Sequence, residues 1–151
     1  MTDEELAEQV ASLLADRTVA TAESCTAGRV AESLACVESA ADFLRGGLVA
    51  YQEHVKRSLL DVAAASVLSE QAASEMATGV RRLLESDVSV ATTGLAGGDD
   101  IDGVSAGTVF IATCVDGRTR AATHHFDGTP EEVCDRARSQ ALIDLVAALS
   151  A

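Results

Sequence analysis

The run ESCTAG, residues 23–28, places a hydroxyl and a thiol side by side where a predicted strand ends and a predicted helix begins. Backbone N–H groups at a helix start lack intrahelical partners, so such a junction can stabilise a developing oxyanion. Ser24 could act there as a nucleophile beside oxyanion donors. Ser24 and Thr26 could equally serve only as helix caps. Cys25 is a third possibility, as a thiol nucleophile activated by the helix start.

Lys56 and Tyr51 form a second candidate pair. Lys56 is the only lysine in a chain with ten arginines, and Tyr51, five residues earlier, is the only tyrosine. An amine can lose its proton and act as a general base, whereas a guanidinium cannot. Desolvation or a neighbouring charge would lower the pKa of such a lysine toward the working range. The alternative is an ordinary solvated lysine.

The histidines and cysteines give weaker signals. His124 and His125 are adjacent on a predicted strand, so only one of them can point inward, and His54 lies within the Tyr51 to Lys56 stretch. The four cysteines show neither a C-x-x-C motif nor a Cys/His cluster, which predicts no metal site and no disulfide framework.

The elements that must position these residues follow from periodicity and capping signals. The predicted elements, in chain order, are a helix capped by Thr2 and Glu5, a strand at 18–23, a helix at 27–38, a strand at 46–51, a helix through HVKRSLLDV, a helix capped by Ser69, a strand VSVATTG, a glycine-rich loop at 95–105, a hairpin turning at Asp116-Gly117, and a last helix capped by Thr129. Strand-helix alternation followed by a hairpin predicts a mixed sheet between helices.

Composition limits the function classes. With 151 residues and 48% hydrophobic composition, residues 1–151 are expected to form a single domain. No apolar run is long enough for a membrane span and the N-terminal residues are acidic, so a cytoplasmic protein is expected. A net charge of −13 argues against nucleic-acid partners and suggests a halophilic source, where salt screens acidic surfaces.

Four motifs, AESCTAG, GGLVAYQEHVK, TGLAGG and AGTVFIA, occur in this order and at separations that resemble the C-terminal domain family of the competence/damage-inducible protein CinA. The resemblance covers about residues 5–149. It implies a three-layer α/β/α sandwich and a homo-oligomer. Stand-alone members of this family include amidohydrolases that convert nicotinamide mononucleotide to nicotinic acid mononucleotide and ammonia. No metal or organic cofactor is implied.

The resemblance also implies residue roles. Ser24 would accept the acyl group, and Lys56 would activate Ser24 and then return the proton to departing ammonia. Tyr51 would stack on the pyridine ring or hydrogen-bond within the site. The helix start and the glycine-rich loop would donate to the oxyanion and the phosphate. The candidate substrate-binding residues are Glu23, Cys25, Thr26, Ala27, Gly28, Glu53, Gly94, Ala96, Gly97, Gly98 and Thr108.

The chain departs from the family pattern at several positions. Glu53 stands where the family carries asparagine, and Asp99 and Asp100 follow a loop that usually continues with proline and glycine. Pro130 and Cys134 stand where the family carries arginines near the last helix. Two alternatives therefore stay open: a non-catalytic nucleotide-binding or assembly module, and an amidase for a non-phosphorylated nicotinamide compound.

Overall fold

The computed structural model describes residues 1–151, and its elements follow the predicted order with one unpredicted short helix at residues 40–43. The helices and strands, in chain order, are α1 (Asp3–Leu14), β1 (Val19–Glu23), α2 (Arg29–Ala35), α3 (Ala40–Phe43), β2 (Leu44–Val49), α4 (Glu53–Leu60), α5 (Glu70–Leu83), β3 (Val88–Gly94), β4 (Thr108–Val115), β5 (Arg118–His125) and α6 (Pro130–Leu149).

The five strands form one mixed sheet in the order β2-β1-β3-β4-β5. The first three strands are parallel to one another, and β4 and β5 are antiparallel additions. Helices α1, α2 and α6 cover one face of the sheet through a core that includes Val10, Leu34 and Leu142. Helices α4 and α5 cover the other face through Leu60 and Met76. This arrangement confirms the predicted α/β/α sandwich.

Local signals determine where several elements begin. Thr2 and Thr129 each form a complete capping box at the start of α1 and α6, and the Ser69 side chain accepts the Ala72 N–H at the start of α5. The hairpin turn has positive φ at both Asp116 and Gly117, as the predicted type I′ turn requires. These predictions are confirmed.

Several element boundaries differ from the prediction, and two of these differences bear on the site. Helix α2 begins at Arg29 because Ala27 and Gly28 both have left-handed φ, 48° and 96°, which a right-handed helix cannot contain. Strand β2 runs over residues 44–49 instead of 46–51, because its pairing with β1 starts between Val19 and Leu44. Tyr51 therefore lies outside the strand.

Helix α4, which carries Lys56, is held close to α5 at a glycine. A Cβ on Gly79 would lie 2.4 Å from the Leu60 carbonyl oxygen, so only glycine permits this approach. Among the six helices, none has both the length and the apolar character needed to cross a bilayer.

Candidate active site

A cleft of about 570 Å³ lies at the carboxyl ends of the parallel strands. It is lined by Ser24, Cys25, Tyr51, Glu53, Lys56, Val67, Leu68, Gly94, Leu95, Ala96, Gly97, Gly98, Ile101, Asp102 and Pro130. The chain leaves β1 through α2 on one face of the sheet and returns to β3 through α5 on the other face. Such a switch point is where open α/β sheets commonly bind ligands.

Ser24 follows β1 directly and is held between neighbouring strands. Its backbone N–H donates to the Thr92 carbonyl of β3 at 3.1 Å. The residue is 5% exposed, and its Oγ makes no hydrogen bond within the protein although it lines the cleft. A hydroxyl that is fixed in place but not engaged is available for nucleophilic chemistry.

Lys56 is buried in the wall of the cleft, at 3% exposure. Its Nζ donates one hydrogen bond, to the Tyr51 carbonyl at 2.7 Å, and forms no ion pair with a carboxylate. Burial lowers the pKa of the Lys56 amine, because removing water disfavours the ammonium; Cys25 and Glu53 oppose this shift more weakly. Lys56 thus has the properties of a general base and faces the same cleft as Ser24.

Cys25 lies next to Ser24 but belongs to the core on the α6 side of the sheet. Burial, with a smaller contribution from nearby Cys134, raises the pKa of its thiol to about 12. Since the thiolate is the reactive form, Cys25 is unsuited to act as a nucleophile near neutral pH. Of these two adjacent residues, Ser24 is therefore the better candidate nucleophile.

The buried Glu23 side chain has a structural role. Its carboxylate is 1% exposed and accepts five hydrogen bonds: from the N–H groups of Gly28, Val30 and Ala31 at 3.2, 2.9 and 2.9 Å, and from the hydroxyls of Thr26 and Thr21 at 2.6 and 3.2 Å. The carboxylate thus caps α2 from β1. It leaves little of the α2 start for a substrate anion.

The structure leaves few free donors for the expectation that the helix start at residues 26–28 donates to the substrate. The Gly28 N–H is bonded to Glu23, and the Ala27 N–H donates to the Ser24 carbonyl at 3.0 Å. Thr26 is fully buried, with its hydroxyl bonded to Glu23 and Thr92. The physical reason is that a buried carboxylate needs several donors and the nearest unpaired N–H groups belong to α2.

Replacing Glu23 by alanine is expected to lower the free energy of unfolding by about 3 kcal/mol, because several buried donors lose their acceptor. Denaturant unfolding followed by circular dichroism measures this loss. Glu32→Gln is the control, since Glu32 is an exposed acid of α2, the helix that Glu23 caps, and its side chain makes no hydrogen bond. Equal stability of Glu23→Ala and Glu32→Gln would contradict the structural role of Glu23.

Other backbone donors remain available beside Ser24. The N–H groups of Cys25, Ala96, Gly97 and Gly98 make no hydrogen bond within the protein, and all four residues line the cleft. An N–H from the residue after a nucleophile, combined with one from a facing loop, is a common way to build an oxyanion hole.

The glycine-rich loop is anchored to the rest of the fold. Leu95 exchanges backbone hydrogen bonds with the start of β4, and Asp102 accepts the Ser66 hydroxyl at 2.9 Å. Gly97 lies against α6, where an added Cβ would be 2.7 Å from Pro130 Cγ. The loop therefore forms a fixed wall opposite α4.

The structure brings most of the predicted residues together and separates some. Ser24, Cys25, Tyr51, Glu53, Lys56, Gly94, Ala96, Gly97 and Gly98 line the cleft; Glu23, Thr26, Ala27, Gly28 and Thr108 do not. The Thr108 hydroxyl instead lies near Ser105 and His125, at 3.3 and 3.4 Å. Sheet pairing turns it toward the neighbouring strand β5.

The sequence reasoning missed several lining residues, namely Val67, Leu68, Leu95, Ile101, Asp102 and Pro130. Val67 and Leu68 are apolar residues in an irregular segment, where periodicity carries no signal. Neither His54 nor the pair His124 and His125 lines the cleft; His124 Nε2 lies 2.9 Å from Asp144 of α6. No group of three or more His, Cys, Asp or Glu side chains is placed to hold a metal ion.

Comparison with known proteins identifies the family. Residues 3–149 match the model of the CinA C-terminal domain. Protein YdeJ of Escherichia coli K12 is 35% identical over a 158-residue alignment that covers 97% of this chain and 92% of that protein. A CinA-like protein of Mycolicibacterium gilvum is 39% identical over 150 residues; the alignment covers 95% of this chain but only 36% of that protein.

Solved structures are similar over the whole length. The competence or damage-inducible protein from Enterobacter asburiae superimposes with a TM-score of 0.94 at 35% identity, covering 99% of both chains. The competence/damage inducible protein CihA from Agrobacterium tumefaciens gives 0.91 at 29% identity, covering 100% of this chain and 98% of that one. The chain spans about a third of the length of the longer CinA-like relatives. The chain belongs to the CinA C-terminal domain family.

Proposed function

We propose that this protein is a serine amidohydrolase that hydrolyses the carboxamide of nicotinamide mononucleotide, or of a related nicotinamide compound, to the acid and ammonia. The observation that carries the proposal is the pairing, in one cleft, of an unengaged serine hydroxyl with the only lysine of the chain, which is buried without a carboxylate partner. A buried amine without a counter-charge costs stability, so its presence favours a chemical role.

In the proposed reaction, neutral Lys56 accepts the proton of Ser24 as Oγ attacks the carboxamide carbon. The tetrahedral oxyanion is stabilised by unpaired backbone N–H groups of Cys25 and the glycine-rich loop. Protonated Lys56 then gives its proton to the amide nitrogen, so that the C–N bond breaks and ammonia leaves. Lys56 then deprotonates a water that attacks the acyl-enzyme, and it returns this proton to Ser24 Oγ as the ester bond breaks and the carboxylic acid leaves.

Proton transfer from Ser24 to Lys56 requires a hydrogen bond between Ser24 Oγ and Lys56 Nζ. Lys56 Nζ hydrogen-bonds to the Tyr51 carbonyl and not to Ser24 Oγ in the structure. An ammonium or amine has further hydrogen-bonding capacity, and catalytic hydrogen bonds often tighten only when substrate is bound. The proposed step requires Nζ to come within hydrogen-bonding distance of Ser24 Oγ when substrate is bound.

The identity of the substrate is supported by the resemblance and by the shape of the cleft. Tyr51 is 64% exposed at the cleft and can present its ring face to a planar heterocycle. The apolar side chains of Leu68, Leu95 and Ile101 supply further contact area. A planar amide-bearing ring fits this combination of apolar surface and convergent polar groups.

The direct test measures ammonia release and nicotinic acid mononucleotide formation from nicotinamide mononucleotide by the purified protein in molar potassium chloride. Ammonia and the acid should appear in equal amounts. The alternative, a non-catalytic binding or assembly module, is favoured by the missing Ser24–Lys56 hydrogen bond. Nucleotide binding by folded protein without ammonia from any nicotinamide compound would support that alternative and contradict the proposal.

A further inference from the structure

The charges that line the cleft are unusual for a site that binds a phosphate monoester. The charged side chains of the lining are two carboxylates, Glu53 and Asp102, and one amine, Lys56; no arginine lines the cleft. Even with Lys56 protonated, acidic groups outnumber basic ones. A dianionic phosphate would therefore enter a cleft whose lining side chains carry more negative than positive charge.

The arginines near the cleft are engaged elsewhere. Arg57 pairs with Glu53 at 3.2 Å and donates to the Val62 carbonyl, also at 3.2 Å, so its donors are engaged within the protein while it offsets part of the Glu53 charge. Arg29 pairs with Asp135 at 3.1 Å and donates to the Thr26 carbonyl. Neither lines the cleft.

The other usual phosphate donor, a helix start, is also occupied. The first turn of α2 follows Ser24, but the Glu23 carboxylate accepts its N–H groups and places a negative charge there. The unpaired N–H groups of the glycine-rich loop remain, and the proposed reaction uses donors from this set for the oxyanion. The loop donors that remain for a phosphate belong to the same loop as the Asp102 carboxylate, which lines the cleft.

The same charges suit the pyridinium ring. An N-glycosylated nicotinamide carries a positive charge on its ring nitrogen, and a cation is attracted both by carboxylates and by an aromatic face. Glu53 lies two residues after Tyr51, and both line the cleft. Acidic groups thus attract the ring of the substrate while they repel a phosphate attached to its ribose.

We propose that, if the amidohydrolase function above holds, this cleft selects the unphosphorylated pyridinium riboside over its phosphorylated mononucleotide, with Glu53 and Asp102 as the residues that determine the preference. The protein as a whole, with a net charge of −13, also repels a dianion and attracts a cation. The preference is electrostatic and therefore depends on ionic strength.

The test compares kcat/KM for nicotinamide riboside and nicotinamide mononucleotide at 0.1 M and 2 M potassium chloride. The riboside should be preferred by at least about tenfold at low salt, since two cleft carboxylates act on the phosphate. At 2 M salt the ratio of kcat/KM for the riboside to that for the mononucleotide should fall, because interactions between exposed charges are screened beyond about 3 Å at 1 M salt.

Two substitutions locate the cause. Glu53→Gln and Asp102→Asn together should raise kcat/KM for the mononucleotide about tenfold and reduce the riboside preference accordingly. The amide introduced by Asp102→Asn keeps an acceptor for Ser66, and asparagine tolerates the left-handed φ of 52° at this position. The control is Asp99→Asn with Asp100→Asn, which also removes two negative charges, but from loop positions outside the cleft lining.

The outcomes separate the two proposals. Two results would overturn the selectivity inference and leave the amidohydrolase proposal intact. One is a wild-type preference for the mononucleotide. The other is an equal change in substrate preference in the Glu53/Asp102 double variant and in the Asp99/Asp100 double variant. Absence of ammonia from both compounds would overturn the amidohydrolase proposal and the inference with it. A riboside preference that is lost only in the Glu53/Asp102 double variant would support both the amidohydrolase proposal and the selectivity inference.

Discussion

Ser24→Ala is expected to lower kcat for ammonia release by at least about 10⁴-fold, since removing the nucleophile leaves only binding and oxyanion stabilisation. The side chain loses one oxygen that makes no hydrogen bond within the protein, so the fold should be unaffected. Discontinuous ammonia assays at saturating substrate measure the loss, and thermal melts confirm the unchanged fold.

The neighbouring cysteine provides the control for this prediction. Cys25→Ala removes a thiol whose pKa burial raises to about 12, so turnover should stay within about tenfold of wild type even if core packing weakens. The converse result, full activity in Ser24→Ala and loss in Cys25→Ala, would move the nucleophile to the thiol and contradict the assignment of Ser24.

Lys56→Arg is expected to lower kcat/KM at least about a hundredfold, the usual contribution of a general base, because a guanidinium keeps its proton at any working pH. Because arginine is larger and the site is buried, Lys56→Met is the companion variant: it removes the amine at similar length and should show the same loss. Unchanged kcat/KM in folded samples of both variants would remove Lys56 from the mechanism.

The pH profile gives a second readout for Lys56. Because the amine must be neutral to accept a proton, kcat/KM should rise with pH through the pKa of Lys56, which burial lowers from its ordinary value of roughly 10.4. The unfolded chain binds more protons than the folded one between these two pKa values, so the free energy of unfolding also rises with pH there. In Lys56→Met, both the rise of kcat/KM and the rise of the free energy of unfolding with pH in this range should disappear.

Much of the fold could be predicted from short-range signals. The capping boxes at Thr2 and Thr129 and the turn at Asp116-Gly117 involve residues within a few positions of one another, so their physical chemistry is visible in the sequence. The boundaries of α2 and β2 could not be predicted in the same way. They depend on a left-handed turn and on pairing between strands that are distant in the chain.

For the candidate site, the sequence by itself determined the reactive residue types and their junctions: Ser24 after a strand, Lys56 on a helix, and glycines in a loop. Only the tertiary structure decided which charges share the cleft. It buried Glu23 as the cap of α2, placed Asp102 but not Asp99 or Asp100 in the lining, and enclosed Lys56 without a carboxylate partner. The physical reason is that burial and charge proximity arise from long-range packing of β1, β3, α4 and the loop, which local patterns do not encode.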